Sequence, residues 1–355
     1  MKNEIRNIFI SFVKENNFKI VERSNLVSKY FKGEFNFSGG HGHLIGTMKK
    51  SYKVDKDSIA VLDLCIRKTD SHIIGVSNAH LLLFEMGVWG TFGYIEDKKD
   101  EEFHMLSLLL DFLNICGINK ESLYFTICAG GQYLDKLILP DDDTYEILSS
   151  LGIASDHIFK TAGRRNFMFS RGIDRFAGYN IEVFVKKNNQ FIEIASSNIY
   201  QYLNQLTHLE KTVNIGIGCG VGIERIEFIT KDNNSVYDLD FFQTIREEIR
   251  KTMGITYDSI DIICDKINRI IELSKTLVFL KHDSQGFDKS PQGKIMKSYS
   301  AKIKSEIDFL SIPVEKFIDI LRSEIMKMYN DYGNDIKIVN DDFNDLYNEL
   351  SIKHE

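Results

Sequence analysis

Prolines are scarce, three in 355 residues, and no internal repeat or low-complexity linker divides the chain. The five cysteines (Cys65, Cys116, Cys128, Cys219, Cys264) form no C-x-x-C pair. That spacing argues against a disulfide framework and a thiolate zinc site, and for reduced thiols in a cytoplasm. No stretch approaches 18 consecutive apolar residues, and the opening M-K-N-E-I-R-N has no signal-peptide core, so no membrane partner is expected. Excess positive charge is also missing. A net charge of −7 weighs against a mainly electrostatic nucleic-acid binder while leaving room for a local basic face. What remains, 43% hydrophobic and 27% charged residues, describes a soluble globular protein long enough for one large domain or two ordinary ones.

The most distinctive stretch is T-V-N-I-G-I-G-C-G-V-G-I-E-R (212–225), a β-branched strand with four alternate glycines that runs into a helix. Neither G-x-G-x-x-G nor G-K-[ST] can be framed on Gly216, Gly218, Gly220 and Gly222, which excludes the two common phosphate-loop signatures. Glycines at this density let a backbone approach a ligand closely, and the helix start behind them favours an anion. Arg225, one turn into that helix, suits a phosphate or the face of an aromatic base. A plain buried strand packed on a helix fits the same residues.

Taken in order, residues 3–16 place Ile5, Ile8, Phe9, Phe12 and Val13 on one helical face. His41 and His43, in the glycine-rich loop 35–43, lack an acidic or thiolate partner at metal-ligand spacing and fit a loop better than a metal site. Strands are expected at 58–67 and 80–86, joined as an antiparallel hairpin. Arg67 closes the first of them; a charge at the end of a buried strand calls for a ligand or a salt bridge. A helix over 100–116 ends at Gly117, a strand follows at 123–128, and the Asp141-Asp142-Asp143 run suits a helix N-terminus. Strands at 181–186 and 190–195, separated by a turn at 187–189, supply Glu182 and Glu193. From residue 240 onward the pattern is helical (241–253, 259–281, 293–311, 314–329, 341–350). The expected class is α+β: a mixed, mostly antiparallel sheet with flanking helices, then a helical domain, divided at 240/241.

Several segments, in order, resemble the N-terminal part of alanyl-tRNA synthetase, a class II aminoacyl-tRNA synthetase. Cys65-Ile66-Arg67 and His80 through Phe84-Glu85-Met86-Gly87 to Phe92-Gly93-Tyr94 are similar to its second motif. Residues 220–227 (G-V-G-I-E-R-I-E), followed by Tyr237-Asp238, are similar to its third. D-D-D-T-Y-E-I (141–147), Asn166-Phe167, I-E-V-F (181–184) and I-E-I-A-S-S-N-I-Y (192–200) fall between them in the family's order. Residues 269–286 resemble a helix of its tRNA-recognition domain, which would make 1–240 a catalytic domain and 241–355 its helical companion. The 355 residues stop short of the family's editing and C-terminal domains.

The resemblance implies a class II synthetase-type fold and an ATP- and Mg²⁺-dependent chemistry, in which an amino-acid carboxylate attacks the α-phosphorus of ATP. It implies that Arg67 bridges α-phosphate and carboxylate. Arg225 would contact the γ-phosphate and cover one adenine face, with Phe84 on the other. Glu85 and Met86 would border the adenine, Gly220 and Gly222 would line the nucleotide, and Glu182 or Glu193 would help to hold Mg²⁺. Departures fall in the amino-acid pocket: Met168, Ser196 and Asn198 replace the family's Trp, Asn and Val, and Gly218 replaces the Asp that faces the substrate ammonium. With that acid gone, either another acid such as Glu182 takes its role or the substrate is not plain L-alanine. Pro291 stands in place of an Asn that reads the tRNA acceptor stem, while Lys294, Lys297, Lys302 and Lys304 keep positive charge. Three functions follow. The first is a ligase passing an activated amino acid to a carrier protein, a small molecule or a biosynthetic tRNA. The second is a reduced synthetase that charges tRNA without editing, and the third a regulatory pseudoenzyme.

Overall fold

The computed structural model describes residues 4–27, 34–40, 46–169, 172–231, 233–254, 261–283, 285–331 and 340–351, so His41 and His43 lie outside the described residues. Helix α1 (Glu4–Glu15) leads to β1 (Lys19–Ile20), β2 (Asp57–Ile66) and β3 (Leu83–Gly93). Next come α2 (Lys98–Ile115), β4 (Leu123–Cys128), the ribbon β5 (Gly131–Tyr133) and β6 (Lys136–Ile138), α3 (Asp142–Ser150), β7 (Ile158–Thr161) and β8 (Phe167–Phe169). Three long strands, β9 (Ile173–Lys187), β10 (Gln190–Gln205) and β11 (Leu209–Gly222), precede the short helix α4 (Ile223–Thr230). Then follow α5 (Asp240–Met253), α6 (Asp261–His282), α7 (Pro291–Leu310), α8 (Val314–Asp331) and α9 (Asn340–Ser351).

Nine of these strands make one sheet in the order β1-β2-β3-β11-β10-β9-β4-β7, with β8 paired to β9. Pairing is parallel between β1 and β2 and between β4 and β7, and antiparallel elsewhere. The expected α+β class with a mostly antiparallel sheet is therefore what the chain adopts. Asn188 and Asn189, at φ 50° and 63°, make the tight β9–β10 turn with both residues left-handed, as a type I′ hairpin requires.

One face of the sheet is sealed by α1 and α2, whose Phe9, Phe12 and Phe112 surround the fully buried Trp89 at ring separations of 5.6–6.0 Å. A second apolar cluster unites α5 to α9 with Leu64, Ile66 and Leu81 to Leu83, so the helices pack onto the ends of β2 and β3. Pro291 occupies the first turn of α7 behind the Ser290 cap, where a missing N–H costs nothing.

One expectation is corrected. Strand β3 starts at Leu83 and continues seven residues past Met86, through Gly87 and Gly90. These glycines mark close packing rather than a strand end: a Cβ at Gly87 would meet the Phe9 ring at 2.6 Å. Asp141 stands at the N-cap of α3, with Asp142 and Asp143 in its first turn, as the acidic run suggested. It is buried beside Glu102, and the Thr144 hydroxyl lies within hydrogen-bond reach of both carboxyls. Among the described residues no helix is long and apolar enough to cross a membrane, and all five cysteines are free.

Candidate active site

The glycine tract is a strand with two different faces. Ile217, Cys219 and Val221 point into the core at no more than 1% exposure, and the alternate positions Gly216, Gly218, Gly220 and Gly222 fall on the opposite face. That face is left bare between two walls. Register places Gly222, Gly220 and Gly218 opposite Met86, Val88 and Gly90 of β3, and Gly220 and Gly218 opposite Ser196 and Asn198 of β10. None of the four has positive φ, so conformational freedom is not why they are glycine. Space is. A Cβ at Gly218 would sit 2.8 Å from the Trp89 carbonyl oxygen, and one at Gly220 would sit 3.0 Å from Met86 Cε.

Three adjoining recesses open over this trough. The first, about 510 Å³, is lined by Arg67, Phe84, Met86, Glu193, Ser196, Gly220, Gly222 and Arg225. The second joins Arg67, Met168, Glu182, Glu193, Ser196 and Asn198. The third holds Ser196, Asn198, Gly218 and Gly220. Thus every site residue expected from the sequence lines this connected space except Glu85.

Glu85 departs from expectation because strand alternation turns its carboxylate to the opposite face, where it accepts a hydrogen bond from Arg6 Nε at 3.2 Å. Its backbone N–H donates to both carboxylate oxygens of Glu224 at 3.0–3.1 Å. Burial, partly offset by Lys275, pushes the Glu224 carboxyl up to about 8. The entry to β3 is gripped in the same way from α6. Glu272 accepts from the Leu82 and Leu83 N–H groups at 2.8 and 2.7 Å, and Lys275 donates to the Leu83 carbonyl at 3.0 Å. Phe84 is therefore held from both sides.

Arg67 directly follows β2 with its guanidinium 5.2 Å from the Phe84 ring centre, and among the described residues no carboxylate pairs with it. Arg225 donates to the carbonyls of Ala79 at 3.1 Å and Glu193 at 2.8 Å, and lies 3.6 Å from the Glu193 carboxylate. Burial lowers its proton affinity, Glu193 opposes that, and the like charge of Arg67 adds to it. Two guanidiniums that disfavour each other across one recess form a receptor for a multiply charged anion.

Glu182 is raised above the usual carboxylate value, first by burial and then by Glu193. It accepts hydrogen bonds from Thr126 (3.1 Å) and Arg165. Among the described residues no group of three or more His, Cys, Asp or Glu side chains converges as a metal site. Mg²⁺ needs only one or two protein carboxylates when phosphates complete its shell, and two mutually repelling carboxylates facing one recess fit that requirement. Sequence reasoning missed Arg164 and Arg165, which line the second recess. Their position directly before the Asn166-Phe167 pair was the available signal.

Residues 4–343 match the family model of class II (A) tRNA synthetases. The chain belongs to this family. It is 28% identical over 295 residues to the alanine–tRNA ligase of Borrelia hermsii, covering 75% of this chain and 47% of that protein. Against the alanine–tRNA ligase of Aster yellows witches'-broom phytoplasma the figures are 25% over 330 residues, 85% and 35%. Against that of Leptospira biflexa they are 23% over 320 residues, 83% and 32%. The chain thus spans between about a third and a half of the length of these relatives. The apo histidyl-tRNA synthetase of S. aureus is similar at TM-score 0.41 and 12% identity, over 63% of this chain and 68% of that one.

Proposed function

We propose that this class II synthetase-like chain is an ATP-dependent, amino-acid-activating ligase. It forms an aminoacyl-adenylate and passes it to an acceptor other than alanine tRNA: a carrier protein, a small molecule or a biosynthetic tRNA. The observation that carries this reading is the pairing of Arg67 and Arg225 across one recess, over a floor stripped of side chains, with Phe84 beside them. Phe84 and Arg225 take the two faces of adenine. Arg67 bridges the α-phosphate and the amino-acid carboxylate, which cancels charge and sets the attack in line. Met86 borders the ring, while Glu85 contributes its place in the strand and not its carboxylate. Glu182 and Glu193 would hold Mg²⁺, which neutralises phosphate charge when bound. The division at 240/241 belongs to the same proposal; the unbroken succession of helices from Asp240 onward supports it, and their apolar cluster reaches across it to Leu64, Ile66 and Leu81 to Leu83.

A reduced alanyl-tRNA synthetase is the second reading. It is favoured by the family match, which runs through the helices to residue 343. Gly218 and Pro291 speak against it, because the positions that would face alanine's ammonium and read the acceptor stem are both altered.

The test is amino-acid-dependent ATP–pyrophosphate exchange over a full panel, without RNA. Exchange with an amino acid other than alanine is expected; exchange with alanine alone would replace the first reading by the second. Arg67→Ala and Arg225→Ala should each lower exchange by at least roughly 10²-fold, the scale of losing a charge-stabilising donor, with unchanged circular dichroism. Near-normal turnover in either variant would refute the assignment.

A further inference from the structure

The third recess, about 430 Å³, is lined by residues that include Ser38, Phe92, Asn198, Tyr200 and Gly218, and none of its described lining residues is charged. It lies at the far end of the glycine trough from Arg225, which lines only the first recess. Asn198 shares this recess with the hydroxyls of Ser38, Ser196 and Tyr200, and stands where it meets the second recess. Its Nδ2 donates weakly to Ser196 Oγ at 3.4 Å, while Oδ1 is buried and has no hydrogen-bond partner among the described residues. Its neighbours in register are Asn180 on β9 and Gly218 on β11. Asn180 Nδ2 is engaged with the Arg165 carbonyl at 2.9 Å, and Gly218 brings no side chain, so neither satisfies Oδ1.

A buried acceptor left unmade is expensive, and a site built around one discriminates strongly between ligands that do and do not donate to it. A charged substrate side chain would meet no counter-charge in this recess, and an aliphatic one would leave Oδ1 unsatisfied. We infer that Asn198 is a specificity-determining residue, and that the amino acid taken by this site carries a neutral hydrogen-bond donor, a hydroxyl or a carboxamide, in its side chain. This rests on the amino-acid-activating reading above and narrows its substrate class.

The experiment compares near-isosteric pairs on the full chain: serine with 2-aminobutyrate, threonine with valine, and asparagine with leucine, with lysine and glutamate as charged controls. Each is measured both by ATP–pyrophosphate exchange and by calorimetric binding in the presence of a non-hydrolysable ATP analogue. At least one pair should favour the donor by roughly ten- to hundredfold. Asn198→Val should bring that ratio close to one, Asn198→Asp should keep a preference for the donor, and affinity for the ATP analogue should not change in either. Preference for the aliphatic partner, tighter binding of a charged amino acid, an unchanged ratio in Asn198→Val, or no amino-acid binding at all would each overturn the inference. Donor-selective binding without exchange would leave the inference standing and refute activation, so the two failures are distinguishable.

Discussion

Replacing Gly218 by alanine adds one methyl group to the middle of a sheet that has no room for it. The added Cβ would sit 2.8 Å from the Trp89 carbonyl oxygen and 3.1 Å from Gly90 Cα, both backbone atoms of β3. Strand β3 cannot retreat cheaply, because Trp89 is fully buried among Phe9, Phe12 and Phe112 and its other neighbour is β2. Overpacking of this kind costs about 1–3 kcal/mol. Gly218→Asp, which restores the acid of the alanyl-tRNA synthetases, adds a carboxylate beside apolar walls to the same clash and should be the less stable of the two. Chemical unfolding of the parent and both variants checks the order parent > Ala > Asp. A Gly218→Asp protein as stable as the parent that also activates alanine would refute the argument, because the glycine would then be a chemical choice and not a packing requirement.

Burial, reinforced by the Glu102 carboxylate, holds the Asp141 carboxyl at about 7 against its ordinary 3.8. Such a group binds its proton more tightly in the folded state. Its stabilising contribution is therefore complete below about pH 4 and is lost as the pH rises to about 7, on the order of a few kcal/mol. Asp141→Asn should flatten stability over that window and be more stable than the parent above pH 7; an unchanged pH profile would refute the assignment. Glu272→Ala leaves two backbone donors and the buried Lys275 uncompensated, and should cost on the order of 3–5 kcal/mol. A loss below 1 kcal/mol in denaturant titration would show that the grip on β3 is dispensable.

The parts of the molecule that repeat with a fixed period were readable from the residues. Helical faces such as Ile5, Phe9 and Phe12, the β2–β3 hairpin and the Asn188-Asn189 turn all follow local rules. Arg67, which called for a ligand or a salt bridge, and Arg225, which suited a phosphate or an aromatic face, both line the first recess. What escaped depends on partners distant in sequence. The strand expected to end at Met86 runs on through Gly87 and Gly90, which answer to Phe9 and Gly218. Glu85 reads as a site residue until strand alternation turns it toward Arg6. Asp141 opens its helix as the acidic run suggested, and only the fold shows it buried beside Glu102 of α2. Glu272 and Lys275 look like one more turn of an amphipathic helix, and only the fold reveals that they hold the backbone next to Phe84.

Strand β11 separates two kinds of mutational freedom. Its even-numbered glycines offer a ligand nothing but backbone, so they cannot express a preference among amino acids; Ile217, Cys219 and Val221 between them hold the core and cannot vary without harm. On the reading proposed above, preference falls to the neighbouring wall, where Ser196 and Asn198 stand opposite Gly220 and Gly218. A lineage could retune what it binds through one or two substitutions on β10, while the machinery around Arg67 and Arg225 and the interior beneath stay untouched.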